Sequence, residues 1–310
     1  MKISIIGAGG RVGSNTAFAL QCLGLGRELV LIDANRAAAE GEALDILHGA
    51  AFTSSQIIRA GEEADLDGSD IIVITAGLRR QPDEPRLALI NRNVGLFDGI
   101  MASIQKAALP KRCILIVVTN PVDILTQVAV ERSGFPADKV LGLGTVLDTL
   151  RFRSLLAQEF QVDPRQVSAL ILGEHGDSMV PVWSTATVNG VPLTSLKGYD
   201  QQKVWQIFVR AQNSGAEVLK KKGGAGYAVG IAIAEVIKAI VSDSGAILPV
   251  STLQKGLYGI HDICLSVPTR VGAGGAVETL EMDLWPKEKS ALTDSAAALR
   301  ATWDQVRQKA

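Results

Sequence analysis

Cysteine, histidine and aromatic residues are all scarce in this chain, and 14 of its 310 residues are Phe, Trp or Tyr. The three cysteines, Cys22, Cys113 and Cys264, stand far apart in apolar surroundings. Their odd number and the lack of Cys-x-x-Cys spacing exclude a disulfide framework and a zinc or redox pair, leaving buried thiols in a reducing compartment. The three histidines, His48, His175 and His261, have no cysteine at ligand spacing, so no metal site is expected. No apolar run approaches the ~18 residues of a membrane span. The N-terminal MKISIIGAGG meets glycines too soon for a signal peptide. Charge of neither sign dominates: 31 basic and 32 acidic residues, without long runs of either, offer no field for gripping nucleic acid or an anionic membrane. A cytoplasmic protein with a small-molecule partner is the expectation, and 310 residues at 47% hydrophobic suit two domains.

What the chain does have is a series of short β-branched runs in its first half: KISIIG, ELVLID, DIIVITAG and CILIVVTNP. Each is apolar throughout rather than alternating, as in parallel strands buried on both faces. Between them lie stretches such as SNTAFALQCLGL and NVGLFDGIMASIQKAAL, with apolar positions every three or four residues. Strand-helix alternation of this kind predicts a doubly wound parallel α/β sheet over residues 1–143. From residue 144 to 310 longer helical segments, TLRFRSLLAQEF and QQKVWQIFVRAQNSGAEVLKKK, mix with strands VSALILG and WSTATVNGVPL. Asn189-Gly190 signals a hairpin in the last of these. A mixed α+β second domain ending in a helix around KSALTDSAAALRATWDQVRQ is expected.

The first strand runs into GAGGRVGSN, with Gly7, Gly10 and Gly13 three apart and Gly9 between. Such a turn needs glycine where φ is unusual and where backbone approaches a pyrophosphate, and the next helix offers its unpaired N–H groups to the anion. Alone the motif is weak, and its spacing exceeds a strict G-x-G-x-x-G when counted from Gly7 to Gly13. It gains weight from Asp33, at the end of LVLID and twenty residues after Gly13. A carboxylate there accepts both adenosine ribose hydroxyls and repels a 2′-phosphate, so NAD is expected over NADP. Arg36 is the residue that could soften this exclusion.

The stretch ILGEHGDSMVP places His175 between two glycines. A histidine in such a setting is more often a turn residue than a catalyst. Yet hydride transfer between a 2-hydroxy acid and NAD needs a group that takes the hydroxyl proton, and imidazole titrates in the useful range. Asp148, in GLGTVLDTLRFRS, is a candidate to orient the ring, with Arg151 one turn later on the same helical face.

Together these residues carry a resemblance. GLGTVLDTLRFR followed by GEHGDS, preceded by TNPVD and AGLRRQPDEPR and followed by SVPTRVGAGG, resembles the malate/lactate dehydrogenase family, most closely its lactate-dehydrogenase-like malate dehydrogenases. The match spans almost the whole chain and implies an NAD-binding Rossmann domain plus a mixed catalytic domain. By resemblance His175 is the general acid/base and Asp148 holds its ring. Arg151 forks onto the substrate carboxylate, Arg86 polarises the substrate carbonyl as a loop closes, and Asn120 contacts the substrate oxygen near the nicotinamide. Cofactor contacts are expected from Gly7, Gly9, Gly10, Arg11, Val12, Gly13, Asp33, Ala76, Gly77, Asn93, Val118 and Asn120. A homo-oligomer, dimer or tetramer, is also implied.

In this family the residue six positions before the carbonyl-polarising arginine reads the substrate side chain, and counting back from Arg86 reaches Arg80. Malate enzymes have arginine there, which can pair with a second carboxylate; lactate enzymes have glutamine. Ala225, in KKGGAGYAVG, matches a pocket position where lactate enzymes have threonine. Both point to a dicarboxylate substrate, and so to a malate dehydrogenase of the tricarboxylic acid cycle, a homotetramer. Against this stand Arg79 beside Arg80, Asp83 and Glu84 close by, and a lactate-type Leu87-Ala88. L-lactate dehydrogenase acting on pyruvate is therefore the alternative. An NAD-dependent glycosidase would need a cysteine-histidine metal site. A non-catalytic NAD module would have no use for Arg86, Asp148, Arg151 and His175 together.

Overall fold

The structure, a computed structural model, describes residues 1–78 and 84–308, without the side chain of Arg86. In chain order the elements are β1 (Lys2–Ile6), α1 (Arg11–Cys22), β2 (Glu28–Ile32), α2 (Arg36–His48), β3 (Ile57–Gly61), β4 (Ile71–Ile74), α3 (Arg86–Lys106), β5 (Ile114–Val117), α4 (Val122–Arg132) and β6 (Val140–Gly142). There follow α5 (Val146–Phe160), β7 (Val167–Leu172), β8 (Val180–Val188), β9 (Val191–Pro192), α6 (Gln201–Lys222), α7 (Tyr227–Val241), β10 (Ala246–Leu248) and β11 (Ser251–Lys255). The last are β12 (His261–Ser266), β13 (Thr269–Gly272), β14 (Gly275–Thr279) and α8 (Pro286–Arg307).

Six strands of the first half pair in parallel in the order β3-β2-β1-β4-β5-β6. This is the doubly wound arrangement of a Rossmann domain, with its switch point between β1 and β4, where a crevice opens at the strands' carboxyl ends. The continuous apolar runs have the expected cause. In β4, Ile71 and Val73 face one core while Ile72 and Ile74 face the other, and β5 divides in the same way. Each strand is buried on both sides.

Two antiparallel strands from the second half complete this sheet. Ser251 of β11 pairs with Gly142 of β6, and β12 pairs with β11, giving eight strands. Helix α7 packs on the α1 side of the sheet, contributing Val229, Ile233 and Ile237 to that core, and α8 places Leu292, Leu299 and Trp303 in the core on the opposite face. A smaller core lies between α5, α6, β7 and β8, where Phe152 meets Trp183 and Phe208 edge-on. The β8–β9 hairpin turns at Asn189 (φ 48°) and Gly190 (φ 82°), the positive pair of a type I′ turn. Cys113 and Cys264 are buried, whereas Cys22, at the last position of α1, is exposed, contrary to the expectation for all three. Among the described residues no helix is long and apolar enough to cross a membrane.

Candidate active site and cofactor cleft

The cofactor end is built from turns at the carboxyl ends of β1, β2 and β4. Gly7 has φ +89°, and a Cβ there would lie 2.5 Å from the Ala76 nitrogen, so only glycine lets the two turns meet. Gly13 is equally constrained, since its Cβ would stand 2.5 Å from the Gly7 carbonyl oxygen. A cleft of about 530 Å³ opens here, lined by Gly7, Gly10, Asp33, Ala76 and Gly77 among others. Asp33 accepts hydrogen bonds from the backbone N–H groups of Gly9 (3.0 Å) and Asn35 (2.8 Å), which fix its carboxylate at the cleft wall with acceptor capacity remaining. Arg36 pairs with Glu40 and Glu62. Its charge is committed, and Glu62 and Glu63 add negative potential to the cleft. A ribose diol suits these walls and a 2′-phosphate does not, so the residues present fit NAD.

Of the other predicted cofactor residues, Arg11, Val12, Asn93, Val118 and Asn120 do not line this cleft. Asn93 is buried, its side-chain oxygen accepting from the Leu78 N–H (2.8 Å) and its amide donating to the Asn120 carbonyl (3.5 Å), so it ties two rim loops together. Val12 and Val118 are half-buried against the sheet core. Arg11 is exposed and donates to carbonyls at the end of α6. Asn120 is exposed and precedes Pro121 through a cis peptide bond.

His175, Asp148 and Arg151 converge, as the motifs require. Asp148 lies in the first turn of α5 and is 1% exposed, and its Oδ2 is 2.5 Å from His175 Nδ1. Its Oδ1 accepts from Arg151 Nη1 at 3.2 Å. Burial alone would raise the Asp148 pKa, but the His175 and Arg151 charges hold it below the usual carboxylate range. Burial alone would likewise lower the His175 pKa. The charge and hydrogen bond of Asp148, with help from Asp123, override that, and the imidazole sits above its ordinary value of 6.5. With Nδ1 facing Asp148, Nε2 is the nitrogen left for substrate.

Sequence reasoning missed Asp123. This carboxylate is 2% exposed in the first turn of α4, accepts the His175 backbone N–H at 2.8 Å and takes the Ser251 hydroxyl at 2.6 Å. Burial pushes its pKa up to about 6 against those hydrogen bonds. The loop carrying His175 is thus anchored by α4. It is anchored also by α8, through the Ser295 hydroxyl that accepts the Glu174 N–H (2.8 Å), and by α6, through Gln212 donating to the Asp177 carbonyl (3.0 Å). An aspartate two residues into a helix ordinarily complements the helix dipole, so its sequence position gave no sign of this second use.

Ala225, between α6 and α7, is half-buried. Arg86 opens α3, while Arg79, Arg80 and Asp83 lie outside the described residues. Glu84 is buried and ion-paired with Arg92 at 2.7 Å.

Comparison with known proteins agrees with this geometry. The family model for the lactate/malate dehydrogenase NAD binding domain matches residues 1–142, and that for the lactate/malate dehydrogenase alpha/beta C-terminal domain matches residues 145–310. L-lactate dehydrogenase 1 of Clostridium acetobutylicum is 43% identical over 310 residues, covering 98% of each chain. The L-lactate dehydrogenase of a Synechococcus species is 43% identical, covering 99% of this chain and 100% of its own. Among solved structures, the minor L-lactate dehydrogenase of Enterococcus mundtii superposes with a TM-score of 0.94 at 36% identity, covering 98% of each chain.

These relatives overturn the expectation of a malate dehydrogenase in the tricarboxylic acid cycle. That expectation rested on one cation counted along a loop and one small residue, Ala225. Linear spacing from Arg86 does not say where the Arg80 charge points, and the same loop carries Asp83 and Glu84, either of which can compensate a neighbouring cation. From matched halves, an NAD-binding cleft and a buried Asp–His pair, one conclusion follows: the chain belongs to the lactate/malate dehydrogenase family.

Proposed function

We propose that this NAD-dependent 2-hydroxy acid dehydrogenase is an L-lactate dehydrogenase, interconverting pyruvate and L-lactate. The observation that carries the reading is that full-length relatives at 40–43% identity bear that name. The site geometry supports the chemistry in either direction. Protonated His175 is placed to give its Nε2 proton to the substrate carbonyl oxygen, and Asp148 stabilises the imidazolium beforehand. Arg151 has donors beyond the one given to Asp148 and is 14% exposed, so its fork is available to a carboxylate. Bound NADH supplies the hydride to the carbonyl carbon. In the reverse direction neutral His175 takes the hydroxyl proton of lactate. Arg86 and Asn120 complete the substrate side by resemblance, polarising and contacting the reacting oxygen.

Steady-state assay of the purified protein with NADH against pyruvate and oxaloacetate tests this. Higher kcat/KM for pyruvate is expected, and a preference for oxaloacetate would refute it. A homo-oligomer is part of the same reading. Helices α1, α2 and α7 and the turn after α2 leave Phe18, Leu44, Leu47, Phe52, Tyr227 and Ile231 exposed, Phe52 at 98%. An apolar surface of that kind suits a second copy. Light scattering after gel filtration should give a multiple of 32.7 kDa, and a monomer at micromolar concentration would contradict it.

A further inference from the structure

Arg11 stands at the first position of α1, beside the phosphate turn, yet its guanidinium reaches a segment more than two hundred residues away. Nη1 donates to the carbonyls of Lys222 (2.7 Å) and Gly224 (3.1 Å), at the end of α6 and in the link to α7. The Lys222 carbonyl belongs to the last turn of α6, the negative end of its dipole and a favourable place for a cation, and Gly224 lies just beyond the cap. The link is seated on α1 by glycines as well. A Cβ on Gly226 would lie 2.9 Å from both Arg11 Cγ and Asn15 Nδ2, and one on Gly230 would lie 2.6 Å from the Asn15 carbonyl oxygen. Asn15 in turn donates to the Arg11 carbonyl at 2.6 Å. The link holds Ala225. Further back on α6, Gly215 faces Arg151, whose two terminal nitrogens would be 3.7 Å from a Cβ there. One helix therefore leans on the proposed carboxylate-binding arginine and is pinned at its end by Arg11.

We propose that Arg11 is a positioning residue for the keto acid substrate, holding the 223–226 link and the end of α6 against the cofactor's phosphate turn. This rests on the reading of Ala225 and Arg151 as substrate-side residues. Arg11 touches neither His175 nor Asp148, so its loss weakens binding of ground state and transition state alike and leaves the proton transfer intact. Such a change raises KM and spares kcat.

The test is a kinetic series of Arg11→Met, Arg11→Lys, Gly226→Ala and the Arg11→Met/Gly226→Ala double variant. It is assayed with NADH and whichever keto acid the wild type turns over best. Arg11→Met and Gly226→Ala should each raise the keto acid KM about tenfold with kcat within about twofold. Arg11→Lys, which keeps the charge but not the planar fork, should fall between. The double variant should be no worse than the poorer single one, because both disturb one contact. Gly226→Ala retains the Arg11 charge and should leave the NADH dissociation constant, read by fluorescence titration, unchanged. If Arg11→Met weakens NADH alone and leaves the keto acid KM at its wild-type value, the proposal is overturned. A fall in kcat that tracks melting temperature without a KM change also overturns it. Failure of the lactate reading would instead show in the wild type, as turnover of a different keto acid.

Discussion

His175 is gripped at both its backbone and its ring, by two carboxylates with opposite histories. Asp148 is held ionised by its partners, while Asp123 is pushed toward protonation by burial. His175→Asn should cut kcat by on the order of a thousandfold and leave the NADH dissociation constant nearly unchanged, because the cofactor cleft is built from β1, β2 and β4. Near-normal turnover would remove His175 from the mechanism. On the proposed reading, keto acid reduction needs the imidazolium, so its kcat/KM should fall as pH rises through a value above 6.5, and hydroxy acid oxidation should rise through the same range. Asp123→Asn can keep both hydrogen bonds, its oxygen accepting the His175 N–H and its amide donating to Ser251 Oγ. It removes one charge that raises the imidazole pKa, so the pH limb should move to lower pH with kcat largely retained; an unmoved limb would deny Asp123 this influence. Stability follows the same signs. The raised His175 pKa contributes stability that is complete below 6.5 and lost as pH rises through the folded value. The depressed Asp148 pKa contributes stability present above 3.8 and lost as pH falls through its folded value. Asp123, raised from 3.8 to about 6, does the reverse of Asp148, costing stability in full above pH 6 and nothing below 3.8. At the cofactor end Asp33 should favour NADH over NADPH by on the order of a hundredfold in kcat/KM. Equal efficiency with both cofactors would refute that role.

Helix α1 approaches β1 and the turn after β4 so closely that glycine is required along its contact. Gly13→Ala would bring a Cβ within 2.5 Å of the Gly7 oxygen and 2.6 Å of Ala8 Cα, both backbone atoms that cannot swing aside. The helix must shift, at a cost of ~1–3 kcal/mol in urea unfolding, with weaker NADH binding because the helix start faces the phosphates. Unfolding and binding both at wild-type values would show the contact to be slack. The glycine spacing made this element legible in the sequence, as continuous apolar runs did for β1, β2, β4 and β5. Helix α6 matches the expected QQKVWQIFVRAQNSGAEVLKKK from end to end, with Asp200 accepting the Lys203 N–H before it and Gly223 in the left-handed region after it. Helix α3 begins at Arg86, a full turn and more before the NVGLFDG run, because its first turn, Leu87 to Ile90, is apolar without a break and shows no helical period. The convergence of His175, Asp148 and Arg151 was legible through the ordered motifs of the resemblance, because alone a histidine between glycines or an i,i+3 Asp–Arg pair has commoner uses. Asp123 was not, since one of its partners, Ser251, is 128 residues away. The malate expectation failed because it was counted along one loop, and linear spacing does not encode a residue's role.

At the scale of the molecule, the second half of the chain is part of the first sheet. Strands β11 and β12 cover the β6 edge, and α7 and α8 cover opposite faces. A fragment ending at residue 143 should therefore show no sharp thermal transition and should bind a hydrophobic dye, whereas the full chain should melt in one step. A fragment that melts sharply and binds NADH normally would contradict this. The same pairing constrains how the protein emerges from a ribosome. At roughly 5–20 residues per second, the β6 edge waits on the order of ten seconds before Ser266 is made and the neighbouring strands can close over it. During that interval an unpaired parallel edge and the apolar surfaces that α7 and α8 later cover stay exposed on the nascent chain, where each polysome neighbour presents the same surfaces. The half-made chain is thus the form most exposed to misassembly, and a chaperone that shields it has to remain until β11 and β12 have emerged.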